Sequence, residues 1–431
     1  MAGEKLETVP VEQEAEKGPQ INTFGEFWSF FKSELTPKGN LSTAFNLLSG
    51  IAMIGAFLFL VIRFTLGLGQ PVTNLNQSFP WGLWMGFSVM SGAALAGGGY
   101  VIAFIVCILG VKKYRPVLRP ALLNSFVFYV FCSVAIVIGF GRWWNIPNIF
   151  IGNGFGANSV MFVVVWLFLL YIVTTALEFS PALAEWIENR KLRKTAGALV
   201  LGAAAFGITL SVLHQAGLGA LMLMAKGKIH PLWYSELLPV MFFVSSIYAG
   251  LSLVIFEGTI SRKVFTSQMD EEHRTANDDI VLGLARICGG VIFGYFALTL
   301  IIAKGEGDFA FIWTRMGYWW LLEVIGFVAI PGLMFIHGAQ KKNPVTVRAA
   351  AIIAMVGILL NRYNNVFLAY NWNLPFAEKY HPSFVEGLVA VAIVCAQIWV
   401  FRWAVNRMPV MRKSPQWASN LDRDPLTGQR R

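Results

Sequence analysis

His214 and Gln215 stand inside an apolar stretch that runs from Thr209 to Leu223. Hydrocarbon penalises charged side chains by roughly 2.5–3.5 kcal/mol even on the lenient insertion scale, so polar and ionisable groups kept there usually have a function. A histidine in such a place can hydrogen-bond a polar ligand and pass a proton near neutral pH. Counted at about 1.5 Å per residue from Ala196, it falls roughly 27 Å along its helix, in the half away from the basic cluster Arg190, Lys191, Arg193 and Lys194. Ser88 and Ser91 fall at a similar depth in another apolar run, where they line either a cavity or a packed contact. Carboxylates and arginines inside apolar runs form a second group: Glu178, Glu257, Glu323, Arg286 and Arg362, the last beside Asn361, Tyr363, Asn364 and Asn365. Together they read as a proton relay, or structurally as an ion pair of Glu323 with Arg286 or Arg362. Arg142, between Gly141 and Trp143-Trp144, belongs to a site or anchors an interface.

The elements that position these groups follow from composition. Of 431 residues, 56% are hydrophobic and 13% charged, against about 25% charged in soluble domains, which marks a polytopic membrane protein. A net charge of +10 does not indicate nucleic acid, because the basic residues sit in short loops between apolar runs. Ten runs are long enough to span, the first from about 41 to 68 and the rest at about 81–110, 120–140, 158–187, 196–224, 233–261, 277–303, 312–339, 349–370 and 383–406. The first starts too late to be the core of a cleaved leader. Before it, residues 1–40 form a polar tail whose Phe24, Phe27, Trp28, Phe30 and Phe31 suit an interfacial helix ending before Pro37. Residues 409–431 form a second tail.

Loops 111–119, 188–194, 262–274 and 340–348 carry fourteen Lys and Arg, against five in the intervening loops. The positive-inside rule therefore places both termini in the cytoplasm. Trp81, Trp84, Trp143, Trp144, Trp233, Trp313 and Trp372 then form an aromatic belt at the outer interface. The second and sixth runs echo each other at a constant offset, Ala96-Gly97 and Val101-Ile102 against Ala249-Gly250 and Val254-Ile255. That echo predicts two parallel-related four-helix bundles, at about 81–224 and 233–370, with one extra helix at each end. The run Gly97-Gly98-Gly99 is expected to allow close helix packing.

Haem across a bundle needs two axial ligands at one depth. Only His214 and His337 lie within runs, the first in the outer half and the second at the cytoplasmic end, so no shared haem is expected. Cys107, Cys132, Cys288 and Cys395 are isolated, which argues against an iron–sulfur cluster or metal site.

Several segments resemble the polysulfide reductase/nitrite reductase (NrfD/PsrC) family of membrane subunits, especially its hydrogenase-2 type. They are Phe79-Pro80-Trp81-Gly82, the glycine-rich segment to Tyr100, Leu118-Arg119-Pro120-Ala121-Leu122-Leu123, Gly141-Arg142-Trp143-Trp144-Asn145, the stretch from Ala176 to Leu183, Leu213-His214-Gln215, His230-Pro231-Leu232-Trp233 and the stretch from Val254 to Gly258. The resemblance runs in unbroken order from about 41 to 406. It implies a subunit of a respiratory complex in the bacterial inner membrane, without haem or cluster of its own. Such a subunit holds a quinone, menaquinone or ubiquinone, in the first bundle near the periplasmic face. It exchanges electrons there with a ferredoxin-like iron–sulfur subunit that serves a hydrogenase, molybdoenzyme or multihaem cytochrome c. His214, Glu257 and Tyr129 match the family's histidine, glutamate and tyrosine in the fifth, sixth and third helices.

Where hydrogenase-type members carry carboxylates, this chain has Ser88, Gly139 and Val163, which alters any proton path through them. The expected ligand set is thus His214, Gln215, Ser88, Ser91, Tyr129 and Arg142, and the expected proton path Glu178, Glu257, Arg362 and Glu323. A secondary transporter with a midplane site is the competing class; paired Gly/Pro breaks in both halves would favour it, and the glycine run has no equal in the sixth run. A passive anchor for a peripheral complex would not need the buried carboxylates.

Overall fold

A computed structural model describes residues 23–37, 42–69, 72–151, 156, 158–269 and 271–419. Among them a short helix, α1 (Phe24–Glu34), precedes ten helices long and apolar enough to cross a membrane. These are α2 (Ala44–Leu66), α3 (Gly82–Ile108), α4 (Lys112–Gly139), α5 (Val160–Trp186), α6 (Arg190–Leu223), α7 (Leu238–Val264), α8 (Asn277–Gly305), α9 (Arg315–Gln340), α10 (Pro344–Leu368) and α11 (Phe384–Arg407). The chain is an all-α membrane protein, and the expected ten spans are present among the described residues.

Two helices start earlier than hydropathy suggests. Asn189 caps α6 by accepting from the Leu192 backbone N–H, so the basic cluster at 190–194 forms the first helical turns and not a loop. In α4, Pro116 sits in the first turn, where a missing N–H costs nothing.

Helices α3 to α6 pack each on the next, and α6 closes against α3; α7 to α10 repeat this ring. The two remaining spans, α2 and α11, pair with each other beside the first bundle. The bundles meet at the glycine run. A Cβ on Gly250 would lie 2.0 Å from the Gly98 backbone nitrogen, and one on Gly98 would lie 2.7 Å from the Gly250 carbonyl oxygen. The segments that echo each other in sequence are therefore the ones in backbone contact, and only glycine allows that approach. Gly99 leaves room for Ser125, whose hydroxyl bonds the Ala96 carbonyl and the Gly99 N–H.

One face carries the basic inter-helix segments and both ends of the described residues, α1 and the stretch after α11; the other carries most of the tryptophans. At the arginine-rich face, α1 begins with a Thr23–Glu26 capping box and lays Phe30 against Trp186 and Phe31 against Trp403. The aromatic stretch is thus docked on the ends of α5 and α11. At the tryptophan-rich face Trp143, Trp144, Trp313 and Trp372 are exposed. Trp84 and Trp233 are buried instead, because their indole N–H groups donate to the Glu386 carbonyl and the Glu323 carboxylate.

Candidate functional site

On α6 the residues Ser211, His214, Gln215 and Leu218 recur at three- and four-residue spacing and all face inward. On α5 the inward face holds Phe168, Tyr171, Thr174, Thr175 and Glu178. Tyr129 reaches the same place from α4. Its phenol lies 3.1 Å from His214 Nδ1, and its ring packs edge-on to Tyr171 at 4.6 Å. Phe168 flanks both His214 and Tyr129. Gln215 donates to the Ala93 carbonyl at 2.6 Å, tying α6 to α3. His214, Gln215, Ser211 and Tyr129 are all fully buried.

Three polar atoms in this core have no hydrogen-bond partner among the described residues, His214 Nε2, Gln215 Oε1 and Ser91 Oγ, while Ser211 Oγ lies beside the Tyr129 and Tyr171 phenols without a well-formed bond to Tyr171. Each buried polar group left bare costs about 1–3 kcal/mol. A cluster of donors and acceptors in one apolar bundle is therefore costly unless a ligand or ordered water completes it.

The structure brings His214, Gln215 and Tyr129 together and adds two residues that sequence reasoning passed over, Tyr171 and Ser211. Both were detectable: Tyr171 lies seven residues before Glu178, and Ser211 three before His214, so each shares a helical face with a chosen residue. Ser88 is spent otherwise. Its hydroxyl bonds back to the Leu83 carbonyl at 3.1 Å within the π-helical segment Gly82–Ser88, whereas Ser91 stays buried and unpartnered. Arg142 is exposed at the tryptophan-rich face, outside the cluster.

Glu178 lies two turns along α5 from Tyr171, toward the arginine-rich face, and is 6% exposed. Gly207 of α6 makes room for it, since a Cβ there would stand 2.8 Å from Glu178 Oε1. Glu257 is half-buried in α7, in the other bundle, and accepts from Ser261 at 2.6 Å. Of the positions where the resemblance expected carboxylates, Gly139 packs on Met85 and Val163 is 40% exposed on the flank of α5.

Glu323 and Arg362 do not form the direct ion pair considered above, and Arg286 is exposed elsewhere on α8. Asn361 stands between them: its amide donates to Glu323 Oε1 at 2.7 Å, and its oxygen accepts from Arg362 Nη1 at 2.7 Å. Trp233 and Asn364 also donate to Glu323. Arg362 donates to Ser245 Oγ at 2.7 Å and lies over the Phe242 ring at 3.6 Å. Helix register gives depth but not rotation, so an amide bridge could not be told from direct pairing. His230 lies above this network, in ring contact with Trp233 and Trp372. Burial pushes its imidazole down to about 4, consistent with a neutral ring whose Nδ1 accepts from the Leu232 N–H.

Comparison with known proteins accords with this architecture. The profile described as "Polysulphide reductase, NrfD" matches residues 71–372. A protein of Nitratidesulfovibrio vulgaris Hildenborough is 39% identical over 378 residues, covering 88% of this chain and 97% of its own. The "Probable Ni/Fe-hydrogenase 2 b-type cytochrome subunit" of Escherichia coli K12 is 28% identical, covering 84% and 91%. The "Menaquinone reductase, integral membrane subunit" of N. vulgaris Hildenborough is 23% identical, covering 79% and 86%. With a family match across both bundles, this chain belongs to the polysulphide reductase NrfD family.

Proposed function

We propose that this chain is the membrane subunit of a respiratory redox complex and that it binds a quinone in its first bundle, among His214, Gln215, Tyr129, Tyr171 and Ser91. The observation that carries this reading is the buried set of unpartnered polar atoms around the Tyr129–His214 hydrogen bond. The names of the relatives, among them a menaquinone reductase subunit and a hydrogenase subunit, support it and favour menaquinone over ubiquinone. Quinone reduction takes up two electrons and two protons. His214 Nε2 is placed to hydrogen-bond a carbonyl oxygen and exchange its proton, while Tyr129 at Nδ1 holds the ring. The tryptophan-rich face is read as periplasmic and as the docking side for a ferredoxin-like iron–sulfur subunit, which in turn serves a hydrogenase, molybdoenzyme or multihaem cytochrome. Both termini are then cytoplasmic, in a bacterial inner membrane.

The subunit is read as carrying no haem of its own. The two histidines within spans lie in different bundles, His214 buried in α6 and His337 exposed in α9. An azidoquinone photolabel applied to the intact complex is expected to mark α4, α5 or α6. Labelling confined to the α7–α10 bundle would remove the first-bundle site.

The proton-coupling part of the reading rests on two carboxylates on the cytoplasmic side, Glu178 below Tyr171 and Glu257 in the neighbouring bundle. We assign them to a half-channel leading to Tyr129 and His214, which makes quinone turnover electrogenic. Moving one charge across the membrane is worth about 2.3 kcal/mol per 100 mV, so turnover should slow against an imposed potential. In liposomes carrying a lumenal pH dye and a potential-sensitive dye, Glu257→Gln is expected to lose charge movement. If turnover and charge movement both match the unmodified protein, the path through Glu257 fails.

A further inference from the structure

The second bundle encloses its own polar cavity. It opens beneath Trp233, Tyr234 and Ser235 at the tryptophan-rich face, with a volume of about 60 Å³ that continues into the space outside. Two π-helical segments contribute to its polar wall beside Asn361 and Arg362: Leu322–Ala329 carries Glu323, and Asn364–Leu368 carries Asn365. Such segments are rare and often mark functional sites.

The wall is charge-balanced and nearly saturated. Three N–H donors, from Trp233, Asn361 and Asn364, occupy Glu323, and Asn361 links it to Arg362. A carboxylate so engaged is a poor metal ligand and a poor proton carrier. What remains is one donor and one acceptor: Arg362 Nε and Asn365 Oδ1 have no hydrogen-bond partner among the described residues. Both residues line the cavity and are at most 2% exposed. A purely structural pair would not require leaving these two atoms bare, at about 1–3 kcal/mol each.

The rest of the lining decides the ligand class. Trp233, Phe242, Tyr295 and Trp320 supply flat apolar surface. Asp308 also lines the cavity, with Glu306 near it, which disfavours an anion. The engaged Glu323 offers nothing to a cation. A neutral ring whose oxygen accepts one hydrogen bond and donates another meets every requirement.

We propose that the second-bundle cavity is a second binding site for a quinol-class ring, held by Arg362 and Asn365 and distinct from the His214 cluster. The ligand class rests on the quinone reading above; the cavity and its bare donor and acceptor do not.

The test uses the purified complex and a fluorescent quinol mimic, a heptyl hydroxyquinoline N-oxide, titrated by fluorescence quenching. The unmodified protein should bind two per chain. Asn365→Leu removes the acceptor, and Ala303→Leu fills the cavity from α8 without touching the hydrogen-bond network; each should leave one. His214→Ala should also leave one, and combining it with Ala303→Leu none. A single site lost only in His214→Ala overturns the inference and leaves the first-bundle reading standing. A single site lost only in Ala303→Leu and Asn365→Leu sinks the first-bundle reading instead. Binding of no mimic in the cavity, water alone completing Arg362 and Asn365, also overturns the inference.

Discussion

Replacing His214 with alanine is expected to lower quinone turnover by two to four orders of magnitude in the assembled complex. A positioned acid–base group contributes about 10²–10⁴ in rate, or about 2.7–5.5 kcal/mol of barrier. His214 is placed to be that group, because it is fully buried, bonded at Nδ1 to Tyr129 and bare at Nε2. The alanine variant also leaves the Tyr129 phenol without its partner, at a stability cost of about 1–3 kcal/mol. His214→Gln separates the two effects, since it keeps a donor and an acceptor but cannot titrate. It should hold the fold and bind quinone while remaining slow. If His214→Gln turns over like the unmodified complex, hydrogen bonding alone suffices and the proton-transfer role is wrong.

How much of this was legible in the sequence depended on which physical signal each residue carries. Ten spans are legible because hydrocarbon thickness fixes both length and composition. The close crossing at Gly97, Gly98 and Gly250 was legible as small-residue packing, and its partner was foreshadowed by the echo between the two runs. His214 was legible because an imidazole in an apolar run is costly. Tyr129 was not, since a tyrosine among apolar residues is unremarkable, and it entered only through the resemblance. Tyr171 and Ser211 were missed although their spacing from Glu178 and His214 placed them on the same faces. The Glu323–Asn361–Arg362 bridge depends on how α9 and α10 are rotated within their π-helical segments, which residue spacing does not encode. Arg63 of α2 was also passed over; it is 1% exposed and donates to the Ile138 and Phe140 carbonyls at the end of α4.

The largest stability effect is expected at Glu185, a residue that hydropathy and loop charge do not single out. Its side chain is fully buried at the end of α5 and accepts from both terminal nitrogens of Arg119 at 2.8 Å and from Arg193 Nε at 2.8 Å. Arg119 in turn holds the segment after α11 by donating to the Pro409 carbonyl and Ser414 Oγ. One carboxylate thus joins α4, α5, α6 and the chain beyond α11. Removing one partner of a buried charge cluster costs about 3–5 kcal/mol, because the remaining charges keep their desolvation penalty. Glu185→Gln keeps the shape but loses the charge shared by two guanidinium groups, one only 4% exposed. The second bundle supplies an internal control at the same face. Asp278 pairs with Arg262 at 3.1 Å and Arg348 at 2.5 Å, yet its side chain is 47% exposed, and exposed pairs contribute about 0–1 kcal/mol. Thermal unfolding of the solubilised protein should therefore show a large drop for Glu185→Gln and little change for Asp278→Asn. Equal drops would mean that water reaches both clusters alike, and Glu185 would no longer count as the fastening of the first bundle.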